Sequence, residues 1–252
     1  MSYENFFYEN SHLIDSGDLK PSNRLGFIKS WLPPDISSLL DVGCGNGRII
    51  NHLSGLDTTG IDINIKALRN VKSNRCQSTV FDLPFANNVF DLVLATEVIE
   101  HIAHSKYEKA LLEIARVSKK YILITVPYKE DLQANQIICS ICKCQFNKYF
   151  HMRSFNEQDM HNLFVTTQGI SLKKIRGVFK QKFIVFGSSF NFIKENFLHT
   201  QSYQEFIICP QCGLTREQNN IHAIKNDSEK SLSAIWPKSI KYKWWFTLYE
   251  KG

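Results

Sequence analysis

Leu39-Leu40-Asp41-Val42-Gly43-Cys44-Gly45-Asn46-Gly47-Arg48 is an apolar run that enters a glycine-rich turn. Gly60-Ile61-Asp62-Ile63 follows as a second short apolar run ending on an acid. That succession is the first β-α-β unit of a doubly wound sheet, in which ligands lie across the carboxyl ends of the strands. Without a Cβ, glycine lets the chain turn tightly and approach a ligand closely. Asp62 closes the second strand, where a carboxylate can accept from two neighbouring ribose hydroxyls.

The spacing separates candidate ligands. A dinucleotide turn reads G-x-G-x-x-G and sets a pyrophosphate on a helix N-terminus. Here the order is Gly43-x-Gly45-x-Gly47, one residue shorter, with Asp41 just before the loop. A carboxylate there suits a ligand carrying an ammonium and a sulfonium better than one carrying phosphates. No Gly-Lys-Ser/Thr follows, which excludes the phosphate-cradling P-loop. Leu40 to Gly47 resembles the first motif of the class I S-adenosylmethionine-dependent methyltransferases. Phe81-Asp82-Leu83-Pro84-Phe85 and Phe90 to His101 look like the third and fourth strands of that family, and Tyr121 to Tyr128 like its fifth strand and exit loop. The resemblance implies a single domain over residues 1–252, built on a seven-stranded, mostly parallel α/β sheet. It also implies S-adenosylmethionine as cofactor. By the same resemblance Asp41, Gly43, Cys44, Gly45, Asp62 and Ile63 hold the cofactor at the first two strands. Asp82 meets the adenine amino group, Leu83 offers a backbone N–H, and Thr96 and Glu97 line the methionine part.

Composition agrees. A chain of 252 residues with 43% hydrophobic content is long enough to bury one large core. Met1 to Leu13 carries Glu4 and Glu9 and has no apolar centre, so it does not read as a signal peptide. No uninterrupted apolar run is long enough for a membrane span, and the reading is a cytoplasmic protein. Residues 22–32, Ile65 to Ser73 and Tyr107 to Ser118 read as helices, the first ended by Pro33-Pro34. In the third, Leu111, Leu112, Ile114 and Ala115 form the expected buried stripe, with Lys109 and Glu113 on the wet side. Ser154-Phe155-Asn156-Glu157 reads as a capping box opening a helix through Phe164. Ile170 to Phe179 and Lys241 to Tyr249 alternate as the last two strands, which in the family pair antiparallel at the sheet edge. Trp244, Trp245 and Phe246 are read as core, and the polar stretch Ile221 to Ser233 as a loop.

Five of the seven cysteines fall in two clusters, Cys139-x-x-Cys142-x-Cys144 and Cys209-Pro-Gln-Cys212-Gly. Two Cys-x-x-Cys turns can complete a tetrahedral zinc site, with Cys139, Cys142, Cys209 and Cys212 as ligands and Cys144 or His151 as substitutes. The second turn has the stiffening proline and the permissive glycine; the first has Ser140 and Lys143 in their places. The long gap requires the turns to meet across the fold. Disulfides are disfavoured in a reducing compartment. Cys44 and Cys76 read as small core or loop residues. Some bacterial methyltransferases of this type look similar, with a Cys-x-x-Cys insert before a segment like His151-Met152-Arg153-Ser154-Phe155. The insert is expected around residues 129–155 plus 205–233, forming a zinc knuckle that covers the acceptor pocket.

Methyl transfer from a sulfonium is an in-line displacement that needs alignment first, and a base only where the acceptor must lose a proton. The candidates are His151, His101 and Tyr128, with Glu97 beside them. His101 can equally be a scaffold histidine, and His151 a zinc ligand. Arg153 could hold an anionic acceptor or pair locally. The net charge of +6 is modest, and Lys173, Lys174, Arg176, Lys180 and Lys182 cluster near the sixth strand. The expected acceptor is a small molecule or glycan-type metabolite, methylated on oxygen or nitrogen. An RNA acceptor docked on the basic strip and the knuckle is the alternative, and a catalytically silent scaffold a third reading. Oligomeric state is open.

Overall fold

Phe90–Thr96 is buried at every position, as an apolar strand must be when both of its sheet faces are covered. The computed structural model describes residues 23–180, 209–213, 222–223 and 241–252. Around this central strand, β4, lie β1 (Ser38–Val42), β2 (Asp57–Asp62), β3 (Asn74–Gln77) and β5 (Ser118–Pro127), all parallel. Outside this layer, β6 (Gln136–Ile138) and β7 (Gln145–Asn147) form a small hairpin. β8 (Ile170–Lys180) returns to the main sheet, β9 (His222–Ala223) joins β6, and β10 (Lys241–Lys251) inserts antiparallel between β5 and β8. The seven-strand order is β3-β2-β1-β4-β5-β10-β8. This is the expected architecture, including the antiparallel pair at its edge. Order reverses between β1 and β4, and a ligand crevice belongs at that switch point.

Helices cover both faces. α1 (Asn23–Trp31) buries Leu25, Ile28 and Trp31 and stops before Pro33-Pro34. α2 is only Ile65–Leu68, capped by the Asn64 side chain, and the expected continuation to Ser73 is turn and extended chain. α3 (His104–Val117) buries Ala110, Leu111, Ile114, Ala115 and Val117. Leu112, expected inside, is 52% exposed. Each fully buried aliphatic side chain of this kind contributes roughly 1.5–3 kcal/mol. α4 (Glu157–His161) begins two residues later than the expected capping box: Asn156 and Asp159 bond reciprocally to each other's backbone N–H.

Phe81 to Phe85, expected in the third strand, is a loop beyond β3 that packs on α3. Glu113 accepts from Leu83 N–H at 2.8 Å, and Arg116 donates to the carbonyls of Leu83 and Phe85. Glu113 is therefore half-buried and structural rather than on the wet face. Trp245 and Phe246 are core, while Trp244 is half-buried and its indole N–H donates to Glu97 at 3.1 Å. Met1 to Leu13, Lys182 and most of Ile221 to Ser233 lie outside the described residues. No helix among the described residues is long and apolar enough to cross a membrane.

Candidate active site

The turn after β1 carries the site. Gly43, Gly45 and Gly47 all have positive φ, at 67, 53 and 82°. A Cβ on Gly43 would come within 2.5 Å of Val98 Cγ2, so both conformation and packing demand glycine there. Asp62, at the end of β2, reaches across this turn. One carboxylate oxygen accepts from Gly45 N–H and the other from Asn64 N–H, each at 2.8 Å. Burial raises its pKa, and these N–H groups oppose the rise. Each oxygen retains capacity for a second hydrogen bond.

Asp41 is 1% exposed, and neither carboxylate oxygen has a hydrogen-bond partner among the described residues. Burial pushes its pKa up to about 8, with Arg24 opposing and Asp62 adding to the rise. An unpaired buried carboxyl is costly in an empty fold, and it is well suited to a cationic ligand. Both acids line a cavity of about 350 Å³ at the switch point, with Gly43, Cys44, Gly45 and Ile63. The Cys44 side chain packs with Ile50, Leu68 and Val71, so its lining role falls mainly to its backbone.

The far wall comes from β3 and β4. Ser78, Thr79, Val80 and Phe81, just past β3, line the cavity. Asp82 and Leu83 do not; Asp82 is exposed, and the Leu83 N–H is taken by Glu113. Thr79 and Val80 line this wall without having been singled out in the sequence, because the polar strand β3 gives no hydropathy signal for where it ends. Thr96, the last residue of β4, and Glu97, just past it, line the cavity. Glu97 has a φ of 56°, a conformation costing on the order of 1–2 kcal/mol outside glycine. Its carboxylate accepts from Thr125 Oγ–H and the Trp244 indole and faces Arg24 at 3.5 Å.

His101 and His151 meet at the cavity floor, rings edge-on with centroids 4.6 Å apart. His151 Nδ1 bonds directly to Glu130. The Phe150 backbone bonds the His101 ring, whose pKa is lowered by burial and by His151. Two contacts hold these segments together: Met152 N–H donates to the Glu100 carbonyl, and Arg153 donates to the Ile99 and Ile102 carbonyls while stacking on Tyr107. Arg153 thus serves the scaffold. Tyr128 lies off the cavity, 4.7 Å from the Trp245 ring.

At the β6–β7 hairpin the two cysteine turns come together across the chain. Cys139 Sγ lies 3.6 Å from Cys212 Sγ, and Cys142 Sγ 3.4 Å from Cys209 Sγ. These separations are too long for a disulfide, and sulfurs around a zinc at about 2.3 Å would stand at similar distances. Cys144 packs beside the group without joining it, and His151 stands in the other cluster.

A family described as a methyltransferase domain matches residues 40–123. Residues 40–123 therefore form a methyltransferase domain. A ubiquinone biosynthesis O-methyltransferase of Rickettsia canadensis is 29% identical over 170 residues, 57% of this chain and 67% of that protein. A protein described as probable tRNA methyltransferase 9B of Bos taurus is 32% identical over 85 residues, 32% of this chain and 19% of its own. Apart from the Rickettsia canadensis protein, the chain spans less than half the length of the curated relatives it matches. Its fold superposes on a Thermotoga maritima protein titled as a possible histamine N-methyltransferase, with a TM-score of 0.55, 17% identity and coverage of 99% and 98% of the two chains.

Proposed function

We propose that this chain transfers a methyl group from S-adenosylmethionine to a small-molecule acceptor, on oxygen or nitrogen. The observation that carries the reading is Asp41, a buried carboxyl with no partner among the described residues, in a cavity built on the glycine turn and Asp62. S-adenosylmethionine, when bound, supplies an electrophilic methyl on a sulfonium. Asp62 would accept from its ribose hydroxyls, Asp41 would answer its positive charge, and Thr79 to Phe81 would flank its adenine. The acceptor enters beside His101 and His151, where His151 would align it or take its proton. Cys139, Cys142, Cys209 and Cys212 would hold a structural zinc with no open coordination position, shaping the wall that presents His151.

A small acceptor is favoured over RNA by the state of the basic strip on β8. Lys173 pairs with Glu250 at 2.9 Å, and Lys174 lies over the Trp31 ring at 4.1 Å, so two of its cations are committed locally. Calorimetry should show S-adenosylhomocysteine binding tighter than NAD, with Asp62→Ala weakening it; the reverse order would sink the cofactor assignment. Tritiated methyl from the labelled cofactor, followed into RNA, protein and small-molecule fractions of an extract, identifies the acceptor class. Label in RNA would replace the small-molecule reading, and none in any fraction would leave the silent scaffold.

A further inference from the structure

Glu100 stands out among the groups around the cavity. It is 0% exposed, and both carboxylate oxygens lack a hydrogen-bond partner among the described residues. A buried acid is normally paired, hydrogen-bonded or bound to a metal. One ligand atom from each of Glu100, His101 and His151 lies within 4.8 Å of the others. Two imidazoles and one carboxylate at that separation can converge on a single cation at ordinary bond lengths of about 2.0–2.2 Å.

The surroundings are arranged as a metal site requires. A metal-ligating histidine commonly gives its other ring nitrogen to a carboxylate or a backbone carbonyl, which fixes its tautomer and aim. His151 Nδ1 is held by Glu130, and His101 is held by the Phe150 backbone. Met152 N–H and the Arg153 guanidinium tie the His151 segment to the Ile99–His101 turn that carries the other two groups. The three donors thus come from two segments fixed to each other before any ion binds. Nitrogen and oxygen donors exclude a soft-metal preference and suit Mn²⁺, Fe²⁺, Co²⁺ or Zn²⁺. The cysteine turns are a separate, thiolate site.

We propose that Glu100, His101 and His151 bind a divalent cation that receives a hydroxyl of the acceptor. Three protein donors leave coordination positions open toward the cavity. A hydroxyl on the cation loses its proton more readily; the proton passes to water. An oxygen lone pair then forms the C–O bond, while the methyl–sulfur bond breaks and its electron pair stays on sulfur as a neutral thioether. The proposal rests on the methyl-transfer reading and deepens it, selecting an oxygen acceptor over nitrogen.

The test uses the full chain carrying one zinc, titrated with Mn²⁺, whose weak preference for thiolate keeps it off the cysteine turns. Free Mn²⁺ is followed by electron paramagnetic resonance. The expected result is one Mn²⁺ per chain, weakened at least about tenfold by Glu100→Gln and by His151→Ala. Melting curves establish that each variant is folded, and if one is not, the other decides. Mn²⁺ binding under about a tenth of an equivalent, or unchanged in the folded variants, overturns the proposal. S-adenosylhomocysteine titrated in parallel separates the two claims. Its binding without Mn²⁺ binding defeats the cation site alone. Mn²⁺ binding without it leaves the cation site standing and defeats the methyl-transfer reading.

Discussion

Burying Asp41 with neither oxygen bonded among the described residues raises the free energy of the empty fold and lowers that of the fold with a cation beside it. Its pKa of about 8 in the fold exceeds its ordinary value, so the folded chain holds a proton that the unfolded chain releases. The penalty is absent below about pH 4, grows as pH rises, and is complete above about pH 8. Asp41→Asn should therefore gain on the wild type by a few kcal/mol in ligand-free unfolding free energy between pH 5 and pH 8. The same variant should lose at least about tenfold in S-adenosylhomocysteine affinity. Urea unfolding at several pH values with calorimetry checks both, and a pH-independent difference would contradict the burial argument. Asp91 has the opposite sign. Ser37 N–H, Ser37 Oγ–H and Ser38 N–H all donate to one of its oxygens, at 2.9, 2.7 and 3.2 Å, and hold its pKa down to about 2. Its stabilisation is present above about pH 4 and lost as pH falls toward 2. Asp91→Ala should cost about 2 kcal/mol at pH 7 by removing three hydrogen bonds to a charged acceptor, and acid melts should converge with wild type across that window.

Strands announced themselves where burial on both faces forces a continuous apolar run, as in β1, β4 and β5. The edge strand β3, Asn-Arg-Cys-Gln, has no such constraint, so hydropathy could not locate its end, and the cavity wall beyond it, expected at Asp82 and Leu83, includes Thr79 and Val80. Helix α2 was overextended because apolar spacing alone does not reveal a one-turn helix that stops after Leu68. His101 and His151 were legible as candidates, yet their junction depends on a contact between segments fifty residues apart. The cysteine turns show what local pattern does carry. Gly213 has a φ of 74°, and its N–H donates to the Cys209 carbonyl; Lys143 has a φ of 61°, and its N–H donates to the Cys139 carbonyl. The two turns are thus built alike, with a lysine forced into the conformation that glycine adopts freely. Lys143→Gly should remove roughly 1 kcal/mol of strain, partly offset by the greater freedom of glycine in the unfolded chain. Competition against a colourimetric zinc chelator should show binding tightened by a few-fold; weaker binding would mean that the Lys143 ammonium on the Ser140 carbonyl matters more than the strain.

Across the whole molecule the cavity is shared between the seven-stranded sheet and the segment that follows the small β6–β7 hairpin. The turn after β1, Asp62 and the residues past β3 belong to the parallel sheet and depend on its core. His151 follows the β6–β7 hairpin, whose cluster among the described residues is small: Ile137, Cys139, Phe146, Phe150 and Cys209, with Cys142 and Cys144 against it. A metal joining the two cysteine turns would add to the stability that this small cluster of described residues supplies. Removing zinc should therefore separate the two halves of the site. Chelation, or Cys209→Ser, should lower the melting temperature by several degrees, in keeping with a loss of about 1–2 kcal/mol or more. S-adenosylhomocysteine affinity should change by less than about threefold, since the residues proposed to hold it lie on the sheet side, while turnover falls steeply because His151 is no longer held against His101. Scanning calorimetry, isothermal titration and methyl transfer on the same zinc-free sample read the three quantities together. Equal loss of cofactor binding and turnover would mean that the cysteine turns support the entire domain, and unchanged melting would mean that they hold no structural metal.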